Sequence, residues 1–276
     1  MSFSIIIPSR FGSTRLPGKP LLDIAGKPMI QWVYERSMQS DAEDVIIATD
    51  DKRIANACHK FSANVVLTSV DHLSGTDRLQ EVALGQAFQD DHVVVNVQAD
   101  EPLIPPEVIN QVAKNLVHYK SAGISTVCEK IGNVADLFNP NNVKVVRDAN
   151  DEALYFSRAA VPWSHEWPSA DDDSPVALKS REAIFLNSDF YWYRHIGIYA
   201  YRVSILNQFV QWPATSNERN ESLEQLRALD NGVIIYCQEA VANVPAGVDT
   251  QDDLVKVRTL LPVSYTHLTL PTNREV

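Results

Sequence analysis

The sequence predicts an α/β protein built on a doubly wound, mostly parallel sheet, and three observations carry that prediction. Short, nearly unbroken apolar runs recur through the first part of the chain, amphipathic stretches of helical length separate them, and 276 residues at 45% hydrophobic content suffice for one large core. Strands covered by crossover helices on both faces read as continuous apolar runs rather than alternating ones.

The runs SFSIII (2–7), VIIAT (45–49), NVVLT (64–68) and HVVVNVQ (92–98) are the expected buried strands. Between them PMIQWVYERSMQ (28–39), DKRIANACHK (51–60) and TDRLQEVALGQAF (76–88) are expected helices. Past about residue 140 the pattern changes. NNVKVVRDANDEALYFSR reads as two strands around a turn, with Asp148, Asn150 and Asp151 supplying the turn chemistry. The polar stretch 164–192, rich in Asp, Ser and Pro, reads as a long surface loop. HIGIYAYR (195–202) resumes as a strand, ESLEQLRALDNG is a helix ended by Gly232, and DTQDDLVKVRTLL is a terminal helix. The last residues, 262–276, carry two prolines and no periodicity and are expected to lie outside the core. One domain over 1–261 is expected, its two halves meeting at about residue 130.

Composition excludes several classes. Against 24 basic residues stand 35 acidic ones, a formal charge of −11, so a polynucleotide-binding surface is not expected. No apolar run reaches the roughly 18 residues of a membrane span, and no signal peptide is evident at the N-terminus. Cys58, Cys128 and Cys237 have no C-x-x-C spacing and read as reduced thiols of a cytosolic protein.

In doubly wound sheets ligands sit beyond the carboxyl ends of the strands, which singles out the loops 8–20 and 99–106. The first, PSRFGSTRLPGKP, is not a P-loop. Gly12 and Gly18 have five residues between them rather than four, and Pro20 stands where a Ser or Thr hydroxyl would be needed. What remains is an extended loop with three cations, Arg10, Arg15 and Lys19, and glycines that admit an anion to the backbone. That composition suits a triphosphate whose leaving pyrophosphate must be neutralised.

The run PSRFGSTRLPGKPLLDIAGKPMI resembles the nucleotidyltransferase loop of sugar-activating enzymes. Further motifs narrow the resemblance to the 3-deoxy-manno-octulosonate (Kdo) cytidylyltransferase family: ATDD (48–51), SGTDRL (74–79), VNVQADEPLIP (95–105), NPNNVKVV (139–146), ALYFSRAAVPW (153–163), RHIGIYAYR (194–202), LEQLRAL (223–229) and GVDTQDDL (247–254). The ordered matches cover roughly residues 1–260. The resemblance implies a Rossmann-like nucleotidyltransferase fold, with 1–130 as the nucleotide-binding half and a smaller mixed β subdomain, in 131–261, for sugar binding and dimerisation. It implies Mg²⁺-dependent transfer of the cytidylyl group of CTP to Kdo in the cytoplasm, for lipopolysaccharide synthesis, by a homodimer.

The same resemblance assigns roles residue by residue. Arg15, Lys19 and Asp100 are the expected catalytic residues. Pro8, Ser9, Arg10, Ser13, Arg15, Lys19, Ser74, Gly75, Arg78 and Gln98 are expected around the nucleotide. Asp100 and Asp249 would hold Mg²⁺, since one or two carboxylates plus phosphate oxygens and waters commonly do so. Arg158, His195, Tyr199, Glu224 and Gln225 are expected at the acid sugar, whose carboxylate suits a guanidinium. Where the family commonly has glycine, Ala99 narrows the room beside the base. Read singly, each residue has a plainer role: Ser74 or Thr76 as a helix cap, Asp249 as a cap, His195 as a satisfied strand histidine, Glu224 as half of a helix-surface ion pair. Three rivals stand beside the family reading: a sibling enzyme for 8-amino-Kdo or sialic acid, a glycosyltransferase, and a non-catalytic nucleotide-binding regulator. A glycosyltransferase calls for Asp-x-Asp, and the chain has Ala-Asp-Glu at that strand end.

Overall fold

The computed structural model describes residues 2–12, 16–72, 74–169, 172 and 174–261. The chain opens on β1 (Phe3–Ser9), buried along its whole length. A 3₁₀ turn at Lys19–Leu21 and a ribbon of β2 (Asp23–Ile24) with β3 (Lys27–Pro28) lead into α1 (Met29–Ser37). The expected alternation follows as β4 (Asp44–Thr49), α2 (Lys52–His59), β5 (Asn64–Leu67), α3 (Gly75–Gly85) and β6 (Val93–Asn96), and α4 (Pro106–His118), which is not among the expected helices, continues it. The second half adds β7 (Ile124–Lys130), α5 (Val134–Phe138), β8 (Lys144–Arg147), β9 (Ala153–Ser157), α6 (Pro175–Asn187), β10 (Tyr193–Arg202), α7 (Val203–Phe209), α8 (Ser216–Glu221), α9 (Gln225–Asp230), β11 (Ile235–Glu239) and α10 (Gln251–Leu260).

Among the described residues nine strands form one sheet in the order β11-β7-β10-β6-β1-β4-β5, with β8 pairing with β10 and β9 with β8. β6, β1, β4 and β5 are parallel to one another, and β11 lies parallel to β7. The long β10 runs against β6, β7 and β8, so strands from late in the sequence are built into the sheet of the first half. The sheet is therefore mostly parallel, as the apolar runs predict. Its two faces bury two cores: Ile5, Ile7, Val93 and Val95 point into one, Ile6, Val94 and Phe156 into the other, following the period of two.

One expectation is corrected. The stretch 164–192, expected as surface loop, contains the thirteen-residue α6. Ser174 caps it by accepting from Ala177 N–H and Pro175 follows as its first residue, a start signal that the preceding Asp-rich run obscured. Its apolar residues point several ways, with Val176, Leu178 and Leu186 exposed, so no helical stripe marked it. Trp167 and Trp192, stacked with ring centroids 5.0 Å apart, pin the region to Ile131 and Leu137. The expectation for 262–276 falls outside the described residues.

Candidate active site

The carboxyl ends of β6, β1, β4 and β5 lie side by side, and the loops leaving them enclose a cleft of about 310 Å³. Pro8, Ser9 and Arg10 enter it from β1, Gln98, Ala99 and Asp100 from β6, and Ser74, Gly75 and Arg78 from the start of α3. Ser9 is 2% exposed and no described residue hydrogen-bonds its Oγ, which leaves that hydroxyl to a ligand. Two predicted residues, Ser13 and Arg15, lie outside the described residues.

Gly18 turns the first loop back. Its φ of 67° is left-handed, its N–H donates to Phe11 O, and a Cβ would lie 3.1 Å from the Phe11 ring. The turn sends Lys19 into the cleft, where its ammonium donates to Asp100 Oδ2 at 2.6 Å and to Asp249 Oδ1 at 3.0 Å. Residues 81 and 230 positions away are thus gathered on one cation. Gly247 permits it: Val248 N–H donates to Asp100 O at 2.8 Å, and a Cβ on Gly247 would stand 3.2 Å from that same oxygen. Beside them burial, and then the Asp100 charge, raises Glu101 to about 8.

These residues fit a divalent cation. The two carboxylates already converge on a positive charge, both offer the hard oxygens Mg²⁺ requires, and one or two carboxylates are its usual protein share. Among the described residues no group of three or more His, Cys, Asp or Glu side chains is placed to hold a metal without help. Phosphate oxygens and water would complete the shell.

Arg78 and Ser74 line the cleft but also serve the fold. Arg78 is 3% exposed; its Nη2 donates to Asp50 Oδ2 at 3.0 Å and its Nη1 to Thr68 Oγ1. Ser74 caps α3 in a reciprocal pair with Asp77. Sequence reasoning assigned no role to Asp50 or to His72, which lines the cleft with its ring nitrogen against Glu81. The ATDD motif was the available signal for Asp50.

A second, smaller cleft of about 60 Å³ shares Gln98 with the first. Tyr199, Glu224 and Gln225, all predicted at the acid sugar, line it with Asn96 and Tyr201. Glu224 accepts from Thr76 Oγ1 at 2.9 Å, and burial raises its pKa. His195 and Arg158 are not among the lining residues. His195 stands against Tyr199 with ring centroids 5.2 Å apart. Arg158 donates through Nε to Glu221 O at 2.8 Å and through Nη1 to Pro140 O at 3.0 Å, while no described residue takes its Nη2.

Thr126 Oγ1, whose proton goes to the Ile198 carbonyl at 2.7 Å, accepts from His195 Nε2 at 3.0 Å. Burial, reinforced by the Arg194 charge, pushes the His195 pKa down to about 3, which keeps the imidazole neutral near pH 7. Below the ordinary histidine pKa of about 6.5 the unfolded chain binds a proton that the folded one refuses, so stability falls as pH drops from about 6.5 towards 3. Urea midpoints measured across that window are expected to fall less steeply for His195→Gln than for the wild type. Equal slopes would show that His195 does not resist protonation.

A cytidylyltransferase family model matches residues 4–238. The 3-deoxy-manno-octulosonate cytidylyltransferase of Marinobacter nauticus is 53% identical, covering 95% of this chain and 97% of that protein. That of Alcanivorax borkumensis is 54% identical, covering 95% and 99%. A solved CMP:2-keto-3-deoxy-manno-octonic acid synthetase complexed with CTP superposes with a TM-score of 0.81 at 39% identity, over 94% of this chain and 97% of that one. A cytidylyltransferase from Leptospira borgpetersenii shares the fold alone, at a TM-score of 0.56 and 14% identity over 94% and 85%. With the two converging carboxylates and the paired clefts, these likenesses over nearly the whole chain place it in the 3-deoxy-manno-octulosonate cytidylyltransferase family.

Proposed function

We propose that this chain transfers the cytidylyl group of CTP to the anomeric hydroxyl of Kdo, giving CMP-Kdo and pyrophosphate. One observation carries the reading: two clefts meet at Gln98, one fitted with cations and carboxylates for a triphosphate, the other offering Asn96, Tyr199, Glu224 and Gln225 to part of a sugar. The anomeric oxygen attacks the α-phosphorus in line as the bond to the bridging oxygen of pyrophosphate breaks. The work of the protein in such a transfer is positioning and charge stabilisation.

Each residue has a share in that work. Arg10 and Lys19 face the negative charge that accumulates on the leaving pyrophosphate, and Arg15 belongs to the same loop. Asp100 and Asp249 would hold Mg²⁺, which when bound polarises the α-phosphate and lowers the pKa of an oxygen nucleophile. Pro8, Ser9, Ser74, Gly75 and Gln98 would form the nucleoside side of the cleft, and the family resemblance assigns Ser13 to the nucleotide as well. Tyr199, Glu224 and Gln225 would take sugar hydroxyls, with His195 setting the Tyr199 ring. The Arg158 guanidinium is oriented by two carbonyls with Nη2 to spare, which supports its pairing with the Kdo carboxylate.

Two exposed aromatic residues, Phe190 at 51% and Tyr191 at 55%, flank a cleft walled by Val145, Arg147 and Trp192, and this patch supports a homodimer interface on the second half. The buried free cysteines support a reducing, cytoplasmic setting. No helix among the described residues is long and apolar enough to cross a membrane. The test is pyrophosphate release from CTP and Mg²⁺ with Kdo, 8-amino-Kdo, sialic acid or no sugar. Release with Kdo, lost in EDTA, is expected. Release with another sugar alone would give the site to a sibling substrate, and CTP binding without release would favour a regulator.

A further inference from the structure

β6 reads Val93, Val94, Val95, Asn96, and strand alternation sends Val93 and Val95 into one core and Val94 into the other. Asn96 follows Val94 onto the second face, directly opposite Tyr199 of the antiparallel β10. The place suits a valine or isoleucine. Asn96 is nevertheless 3% exposed, and its Oδ1 is enclosed and accepts from no described residue. A buried carbonyl oxygen without a donor is a standing cost to the free protein, so something other than folding must retain it. That amide borders the smaller cleft beside Gln98, Tyr199, Tyr201 and Glu224.

We propose that Asn96 is a specificity-determining residue of the acid-sugar site, its carboxamide binding a hydroxyl of the sugar in the smaller cleft. This rests on the reading of that cleft as the Kdo site. A carboxamide both donates and accepts, as a hydroxyl does, so a sugar hydroxyl can give its proton to the enclosed Oδ1 or accept from Nδ2. β6 also leads to Asp100 four residues on, and the same strand would therefore set the sugar against the phosphates. An analogue lacking the hydroxyl would leave the amide unpaired, which is how a polar site rejects a near-isostere.

The experiment compares the wild type with Asn96→Leu, which keeps the branching and removes both polar atoms, in kinetics with CTP and Kdo and in thermal unfolding without ligand. The kcat/KM for Kdo is expected to fall about tenfold, with the KM for CTP within about twofold. The melting temperature is expected to hold or rise, because an unpaired buried carbonyl oxygen has gone. Asn96→Ala should show the same kinetic split if the leucine overpacks. Unchanged kcat/KM for Kdo would overturn the proposal. So would a lower melting temperature with both substrates' parameters shifted together, the signature of a structural asparagine. A wild type inactive with Kdo but active with another acid sugar would overturn the Kdo reading as well, a result distinct from an active wild type indifferent to Asn96.

Discussion

Asp100→Asn is expected to lower pyrophosphate release by about three orders of magnitude while leaving the melting temperature within a few degrees of the wild type. The change removes one charge and almost no volume. Asp100 is one of two carboxylates held on the Lys19 ammonium, at 2.6 Å, and its side chain is 35% exposed. An ion pair that open to water contributes little to stability, so the fold does not depend on it. Transfer at the α-phosphorus does depend on it if the paired carboxylates hold the cation that offsets the triphosphate charge. Initial rates and circular dichroism melts on the same preparation separate the two effects. A variant with turnover within tenfold of the wild type would defeat the metal-carboxylate assignment; one that fails to fold would show that Asp100 anchors the sheet edge.

Arg78→Leu is expected to cost the largest share of stability of any substitution around the cleft, about 3–5 kcal/mol, or roughly 10 °C in melting temperature. Arg78 is almost wholly buried and neutralises Asp50, which is 20% exposed. Removing the cation strands that carboxylate, and Thr68 loses its donor. The pair joins the end of β4 to the start of α3, two elements that line the nucleotide cleft, so the KM for CTP should rise as well. Asp50→Asn, which leaves a neutral hydrogen-bond acceptor for the guanidinium, should cost less. Equal melting temperatures for Arg78→Leu and the wild type would show that Arg78 serves the ligand alone.

Much of this site was legible before any coordinate. Continuous apolar runs placed β1, β4, β5 and β6, and the rule that ligands sit beyond strand ends picked out 8–20 and 99–106. The resemblance in motif order then named Asp249, Tyr199, Glu224 and Gln225, which no local pattern could have tied to Asp100. It also named Arg78, which lines the cleft while its Nη donors engage Asp50 and Thr68, pairings no local pattern announced. Asn96 was passed over because it sits inside a strand run, where a single polar residue breaks no pattern.

By itself the sequence determined β1, β4, β5 and β6 and the helices α1, α2 and α3 between them, because hydrophobic period and turn chemistry are local properties. It also determined, through residue types in order, the chemistry those segments could carry. Only the tertiary structure decided that β10 enters the sheet against β6, that Gly247 lets Val248 reach the Asp100 carbonyl, and that Lys19 joins two carboxylates far apart in sequence. Those are long-range pairings, set by packing of the whole chain, and no neighbouring residue records them. The empty hydrogen-bond capacity of Asn96 belongs with them, since a missing partner is visible only once every possible partner has been placed.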